Sequence, residues 1–350
     1  MKSMGTVSRT SVFTIMAGFL AFVAGPAARA QEQTITPSAA DHAAAGGAKR
    51  SALHPMPANP PAAVKYAGAA NAAAGAANAT AGAASAASPF QSGRIRYPGD
   101  LSYQGGAFVD HVQSHALYVN CKSSCWGNPE GFLQDLGGSD FIHITDQYVG
   151  RYDNNRYTVG GHASIILTLP KVPLTDLDML AVVHAVASQT HQTGYNHIYH
   201  VFLPPGIDEC FDNTYTTCYS PDNPSTFYFC AYHSSADFSD IGHVLYSVEP
   251  YQNVGGCDVA PGSPNGQLVD STNNVLSHEL FESITDPDGT AWWNTASNAL
   301  YGNEIADECS FIIFPPGAVY FDPSVFNISG KRYAVQPEYN NSSHACTVQP

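Results

Sequence analysis

Positive charge is scarce in this sequence. Lysine and arginine number 14 against 29 aspartates and glutamates, a formal net charge of −15 over 350 residues. A surface so short of cations does not suit nucleic acid or an anionic membrane, because both are polyanions. Long apolar runs are missing too. Beyond residues 12–23 no stretch approaches the roughly 18 apolar residues that cross a bilayer, so a mature chain without its leader has no transmembrane anchor. Cysteine is absent before Cys121, and nowhere do cysteine and histidine recur as a finger-like quartet. There is no G-x-S-x-G nucleophile elbow, no phosphate-cradling glycine loop and no dinucleotide fingerprint.

What is present begins with an export signal. Lys2 and Arg9 precede an apolar run, Val12 to Val23, and Ala28-Arg29-Ala30 supplies small residues two apart, so cleavage falls after Ala30. The reading is a secreted or periplasmic protein. Loss of residues 1–30 removes Lys2, Arg9 and Arg29 and leaves 11 basic against 29 acidic residues, a net charge of −18. Residues 31–92 read as a disordered Ala-rich spacer or propeptide. Sixteen of the thirty residues from Pro61 to Phe90 are alanine, too few large side chains to offset the entropy of ordering.

Residues 93–350 have the composition of one globular domain. Its eight cysteines, Cys121, Cys125, Cys210, Cys218, Cys230, Cys257, Cys309 and Cys346, read as disulfides in an exported chain. Their spacing suggests pairing between neighbours. Strand candidates are Phe141–Tyr148, Ala163–Leu169, His197–Leu203, Thr226–Tyr232 and His243–Val248. Two long helices are expected. One covers Thr175–Gln192, opened by Thr175 and Asp178 in capping-box spacing. The other covers about Leu268–Ile284 and stops at Asp286-Pro287-Asp288-Gly289. The fold class that follows is α/β or α+β, a mixed sheet with two long helices in a single domain bearing disulfides.

The second helix carries the chemistry. In Ser277-His278-Glu279-Leu280-Phe281-Glu282, His278 and Glu282 are four apart and share one helical face. Both can reach one cation, while Glu279 can take a proton from a water on it. This is the HExxH zinc-helix arrangement with glutamate as the second ligand. Downstream, Asn303-Glu304-Ile305-Ala306-Asp307, an N-E-x-x-D run, is similar to the N-E-x-x-x-D stretch from which thermolysin-related zinc peptidases take a third ligand, with one residue fewer before the aspartate. Glu304 would be that ligand, and Asp307 would orient His278 through its other ring nitrogen. Four of the nine glutamates lie between residues 279 and 308, a concentration that surface scatter does not usually produce. Two readings compete: a solvated acidic helix face, and a calcium site of Asp286, Asp288, Glu282 and Glu304. His278 counts against calcium. His233, at the end of an apolar strand, reads as a packing residue or a donor to a developing oxyanion. His197 and His200 are three apart on a strand and point to opposite faces.

Several of these motifs, in this order, resemble the EXORDIUM or phosphate-induced protein family and its bacterial secreted relatives. They are Tyr228-Phe229-Cys230-Ala231-Tyr232-His233, Cys257, Leu276 to Glu282, Thr285-Asp286-Pro287, Ala291-Trp292, Glu304 to Cys309, and Val335-Gln336-Pro337-Glu338-Tyr339. The resemblance spans about residues 140–346 and implies an extracellular domain with a zincin-like core. Combined with the site residues, it leads to a secreted zinc metallopeptidase acting on a peptide or protein substrate: His278, Glu282 and Glu304 bind zinc, and Glu279 is general base. The alternative is a non-enzymatic extracellular or wall-associated binding protein with a structural metal. Two carboxylate ligands would neutralise a zinc ion's charge and leave its water less acidic than a His₂Glu site does.

Overall fold

The computed structural model describes residues 33–58, 99–150, 156–169, 172–296, 300–310 and 325–350. The export signal at 1–30 and the alanine-rich stretch at 61–90 lie outside the described residues.

Eight strands form the main sheet: β1 (Gln33–Ile35), β2 (Lys49–Arg50), β3 (His54–Pro57), β4 (Val112–Val119), β5 (Tyr157–Ile165), β6 (His197–Phe202), β7 (Phe229–Phe238) and β8 (Gly242–Glu249). Their spatial order is β1-β5-β4-β6-β8-β7-β2, with β3 also on the β7 edge. The first five run parallel. β7 turns back antiparallel on β8, and β2 and β3 pair antiparallel with β7. The helices are α1 (Ala39–Gly47), α2 (Pro129–Gly137), α3 (Asp146–Val149), α4 (Asp176–Thr190) and α5 (Gln267–Thr285).

Parallel strands require crossovers, and these put helices on both faces. Alternation along each strand then feeds two cores. Leu117, Val119, Tyr199, Val201, Tyr246 and Val248 pack with Met179, Leu180 and Val183 of α4. Their chain neighbours Ala116, Tyr118, Ile198, Phe202 and Leu245 pack with Leu276, Leu280, Phe281 and Ile284 of α5. The protein is therefore a mixed α/β fold with two long helices, as its sequence predicts. α4 opens where Asp178 Oδ2 accepts from the Thr175 N–H at 2.8 Å. α5 ends at Asp286, before Pro287.

Two expectations are corrected. Phe141–Tyr148 is not a strand: it is a 3₁₀ turn, Phe141–Thr145, running into α3. A short apolar run without alternation does not distinguish the two, and Gly150, left-handed at φ 69°, closes the turn. Residues 33–58 are not disordered spacer. They fold with the rest in one unit, Glu32–Pro350. Ile35, Ala45 and Met56 enter the α4-side core, and Arg50 pairs with Asp176 at 2.7 Å. The few large side chains that the alanine content hides are the ones that pack. Among the described residues no helix is long and apolar enough to cross a membrane.

The cysteines pair as neighbours: Cys121–Cys125, Cys210–Cys218, Cys230–Cys257 and Cys309–Cys346. Closing a longer loop removes more entropy from the unfolded chain. Cys230–Cys257, 27 residues apart, should therefore stabilise by roughly 3–4 kcal/mol, and the Cys121–Cys125 link by roughly 2 kcal/mol. Denaturant unfolding of Cys230→Ser/Cys257→Ser beside Cys121→Ser/Cys125→Ser tests that order. Equal losses would show that chain entropy is not what these links supply.

Candidate metal centre

α5 is covered on all sides: every residue from Asp270 to Thr285 is buried. Its apolar residues explain one side only. The other side carries His278, Glu279 and Glu282, and these meet β7 and the segment around residues 304–307.

His278 Nε2 lies 3.1 Å from Glu282 Oε1 and 3.7 Å from Asp307 Oδ1. One helical turn sets the first contact, as the spacing predicts. The second oxygen of Glu282 lies 3.4 Å from His233 Nδ1, and Glu279 Oε2 lies 3.3 Å from the same nitrogen. His233 Nε2 faces the Asp286 carbonyl at 3.2 Å and Glu304 Oε2 at 3.6 Å. Glu304 Oε1 is met at 2.6 Å by His54 Nδ1 from β3. Three groups of donors therefore converge: His278, Glu282 and Asp307; His233, Glu279 and Glu282; and His54, His233 and Glu304.

The arrangement departs from the sequence expectation in the parts played by Glu304 and Asp307. Glu304 faces His233 and His54, while Asp307 joins His278 and Glu282 on the Nε2 side. The other nitrogen of His278 is held by Gln336: Nδ1 donates to Gln336 Oε1 at 3.2 Å, and Gln336 Nε2 is anchored on the Ala306 carbonyl at 2.7 Å. That contact fixes the tautomer and aims the Nε2 lone pair into the cluster. Sequence reasoning missed Gln336 as a positioning residue, although it stands in the Gln336-Pro337-Glu338-Tyr339 run. It missed His54 entirely, because nothing local marks a single histidine in a segment assigned to a spacer. His200 and His197 do separate onto opposite faces: His200 is buried against Ser247 at 2.8 Å, and His197 meets His115 at 3.0 Å.

Charge is out of balance here. Among the described residues, the ion pairs of arginine and lysine lie elsewhere, on Asp176, Asp146 and Asp135. Burial alone would strip the proton from His278, but Glu282, Glu279 and Asp307 outweigh it and push its pKa up to about 10. His233 is raised well above the ordinary value in the same way, by Glu304, Glu279 and Glu282 against burial. Glu282, despite burial, is drawn down to about 2 by His278 and His233. Burial drives Glu304 and Asp307 upward, only partly countered by the histidines. His54 is pushed down to about 4 by burial and the charge of His233. His278 Nε2, Glu279 Oε1 and Asp307 Oδ1 are buried and make no hydrogen bond. Buried polar atoms rarely go without one, and His278 Nε2 and Asp307 Oδ1, which face each other beside Glu282, are atoms of a kind that suits a divalent cation.

The chain was compared with protein families, with curated proteins and with solved structures, and nothing matched in any of the three.

Metal coordination requires the Nε2 lone pair, which the raised pKa of His278 keeps protonated at neutral pH. Metal uptake near pH 7 should therefore expel at least one proton, and affinity should rise as pH rises, by about tenfold per unit for each proton displaced. Calorimetric titration with zinc in buffers of different ionisation enthalpy measures this. Heats that do not depend on the buffer would remove His278 from the ligand set.

Proposed function

We propose that this protein is a secreted, zincin-like zinc metalloprotein that hydrolyses peptide bonds. The observation that carries the reading is the HExxE turn of α5, buried with its nitrogen and oxygen donors turned toward Asp307, while among the described residues the arginine and lysine ion pairs lie elsewhere. His278, Glu282 and Asp307 form the ligand group, with Glu304 and His233 on its flank. A mixed imidazole and carboxylate set suits zinc, whereas calcium prefers about six to eight oxygens. The four disulfides and the export signal support a site of action outside the reducing cytosol, and the EXORDIUM resemblance adds to that reading.

A bound zinc supplies a polarised carbonyl and an acidified water. The side chains do the rest. Gln336 holds the His278 ring in orientation. Glu279 Oε1, which makes no hydrogen bond, would serve as the general base that accepts a proton from the attacking water and returns it to the leaving amine. His233, kept protonated among its carboxylates, places positive charge beside the developing oxyanion. The second reading, a binding protein with a structural metal, is favoured by one observation. The centre is closed, since its ligand-group atoms are buried and the His54 ring covers Glu304.

Two substitutions separate these readings. His278→Ala should lose near-stoichiometric zinc and lower the melting temperature, because a metal bound only to the folded state stabilises it. Glu279→Gln should keep zinc and stability while hydrolysis of a peptide library falls by roughly a hundredfold or more. A wild-type protein that takes up zinc yet cleaves nothing leaves the structural metal. One that takes up no transition metal sinks both.

A further inference from the structure

The edge of β7 is occupied by the chain's own N-terminal segment, and the manner of its seating suggests a replaceable guest. We propose that this edge is a groove for an extended peptide strand, filled from within by residues 49–57, with His54 standing where a bound peptide would meet the metal centre. The groove is deduced from strand pairing; the idea that it delivers a substrate rests on the metallopeptidase reading.

β3 lies antiparallel on β7, with His54 opposite His233, Pro55 opposite Tyr232 and Met56 opposite Ala231, and the register slips between Phe229 and Ala231. The Ala58 N–H donates to the Tyr228 carbonyl at 2.9 Å. Along an extended strand alternate N–H groups point the same way, so those of His54 and Met56 face β7 with Ala58, while Pro55 and Pro57 sit on the outer side, where a donor is not needed. A strand so built can add to an edge and cannot be paired further. Main-chain pairing of this kind tolerates many sequences, and side-chain pockets supply the selection.

The side chains show what those pockets take. Met56 is 1 % exposed. Ser51 Oγ meets Ser235 Oγ at 2.7 Å, and Ser234 Oγ donates to the Ala52 carbonyl at 2.9 Å. The His54 ring stacks on His233, with centroids 5.2 Å apart and planes at 25°, and its Nδ1 rests on Glu304. Gly289 makes room for it. At φ +66° a Cβ there would lie 2.0 Å from His54 Nε2, so only glycine leaves the position open. The fitting guest is thus an extended peptide with an imidazole or basic side chain facing the acidic centre and a long apolar side chain two residues later. While residues 49–57 are seated, such a peptide is excluded. On its C-terminal side the seated strand is joined to the rest of the domain through residues 59–98, more than half alanine between Pro61 and Phe90.

The test opens the groove while β1, α1 and β2 remain in place. In the full mature chain, His54→Gly, Pro55→Ser, Met56→Gly and Pro57→Ser are combined. The probe is a fluorescein-labelled synthetic peptide of residues 53–58, which matches the vacated part of the edge, followed by anisotropy. Zinc content is measured in parallel by elemental analysis. Vacating the edge should tighten probe binding by roughly tenfold or more, because the self-seated strand no longer holds most molecules in the closed form. A probe with alanine at the positions of His54 and Met56 should bind more weakly. Should the fourfold variant fail to fold, the pair His54→Ala and Met56→Ala serves the same purpose. A folded variant with intact disulfides that binds the probe no better than wild type overturns the groove, whatever its zinc content. Tighter probe binding without zinc uptake upholds the groove and defeats the metallopeptidase reading.

Discussion

Buried carboxylates that, among the described residues, have no lysine or arginine paired to them are the constraint around which this molecule is arranged. Glu279, Glu282, Glu304 and Asp307 converge on two histidines from α5 and β7. An uncompensated buried charge costs several kcal/mol, and a whole domain is stable by only about 5–15 kcal/mol. A centre of this kind cannot persist as bare carboxylates. Without metal it takes up protons, which is why His278 and His233 are pushed up and Glu304 and Asp307 follow. A dication is the alternative, and it exchanges protons for coordination.

The sheet makes this possible by using β7 for two purposes. Adjacent residues on a strand face opposite ways, so Tyr232 reaches Asp176 and Glu209 on the α4 side while His233 reaches Glu279 on the α5 side. Two buried acidic clusters thus lie back to back across one strand. The N-terminal segment answers both. Arg50 donates to Asp176, and His54 stands on Glu304 four residues later. Seating that segment therefore couples the polar interior of one face to the candidate centre on the other.

That coupling also explains why the centre is closed in this form of the chain. A catalytic metal needs an open position, whereas a structural one is enclosed by protein. Here the covering group comes from an edge strand of four residues, two of them proline. Closure therefore belongs to the segment more than to the architecture, and the two functional readings differ in whether the segment stays.

The sequence by itself determined what a single turn or strand repeat encodes. The 3.6-residue period and the caps located α4 and α5, the four-residue step put His278 and Glu282 on one face, and pairing of each cysteine with its neighbour in sequence matched all four links. β6 and β8 followed from apolar runs between turn residues. Tertiary structure decided the rest. His54 meets Glu304 across 250 residues of chain, and Gln336 takes His278 Nδ1 from 58 residues away. Contacts of that range depend on how strands register and loops close, which local pattern does not record. The same limit let Phe141–Tyr148 read as a strand and hid the packing of Ile35 and Met56 beside an alanine-rich stretch. It also gave the shared cation to Glu304 and the far nitrogen of His278 to Asp307, whereas Asp307 faces Nε2 and Glu304 faces His233 and His54: both sit on one short loop, and only the direction in which that loop crosses α5 chooses between them.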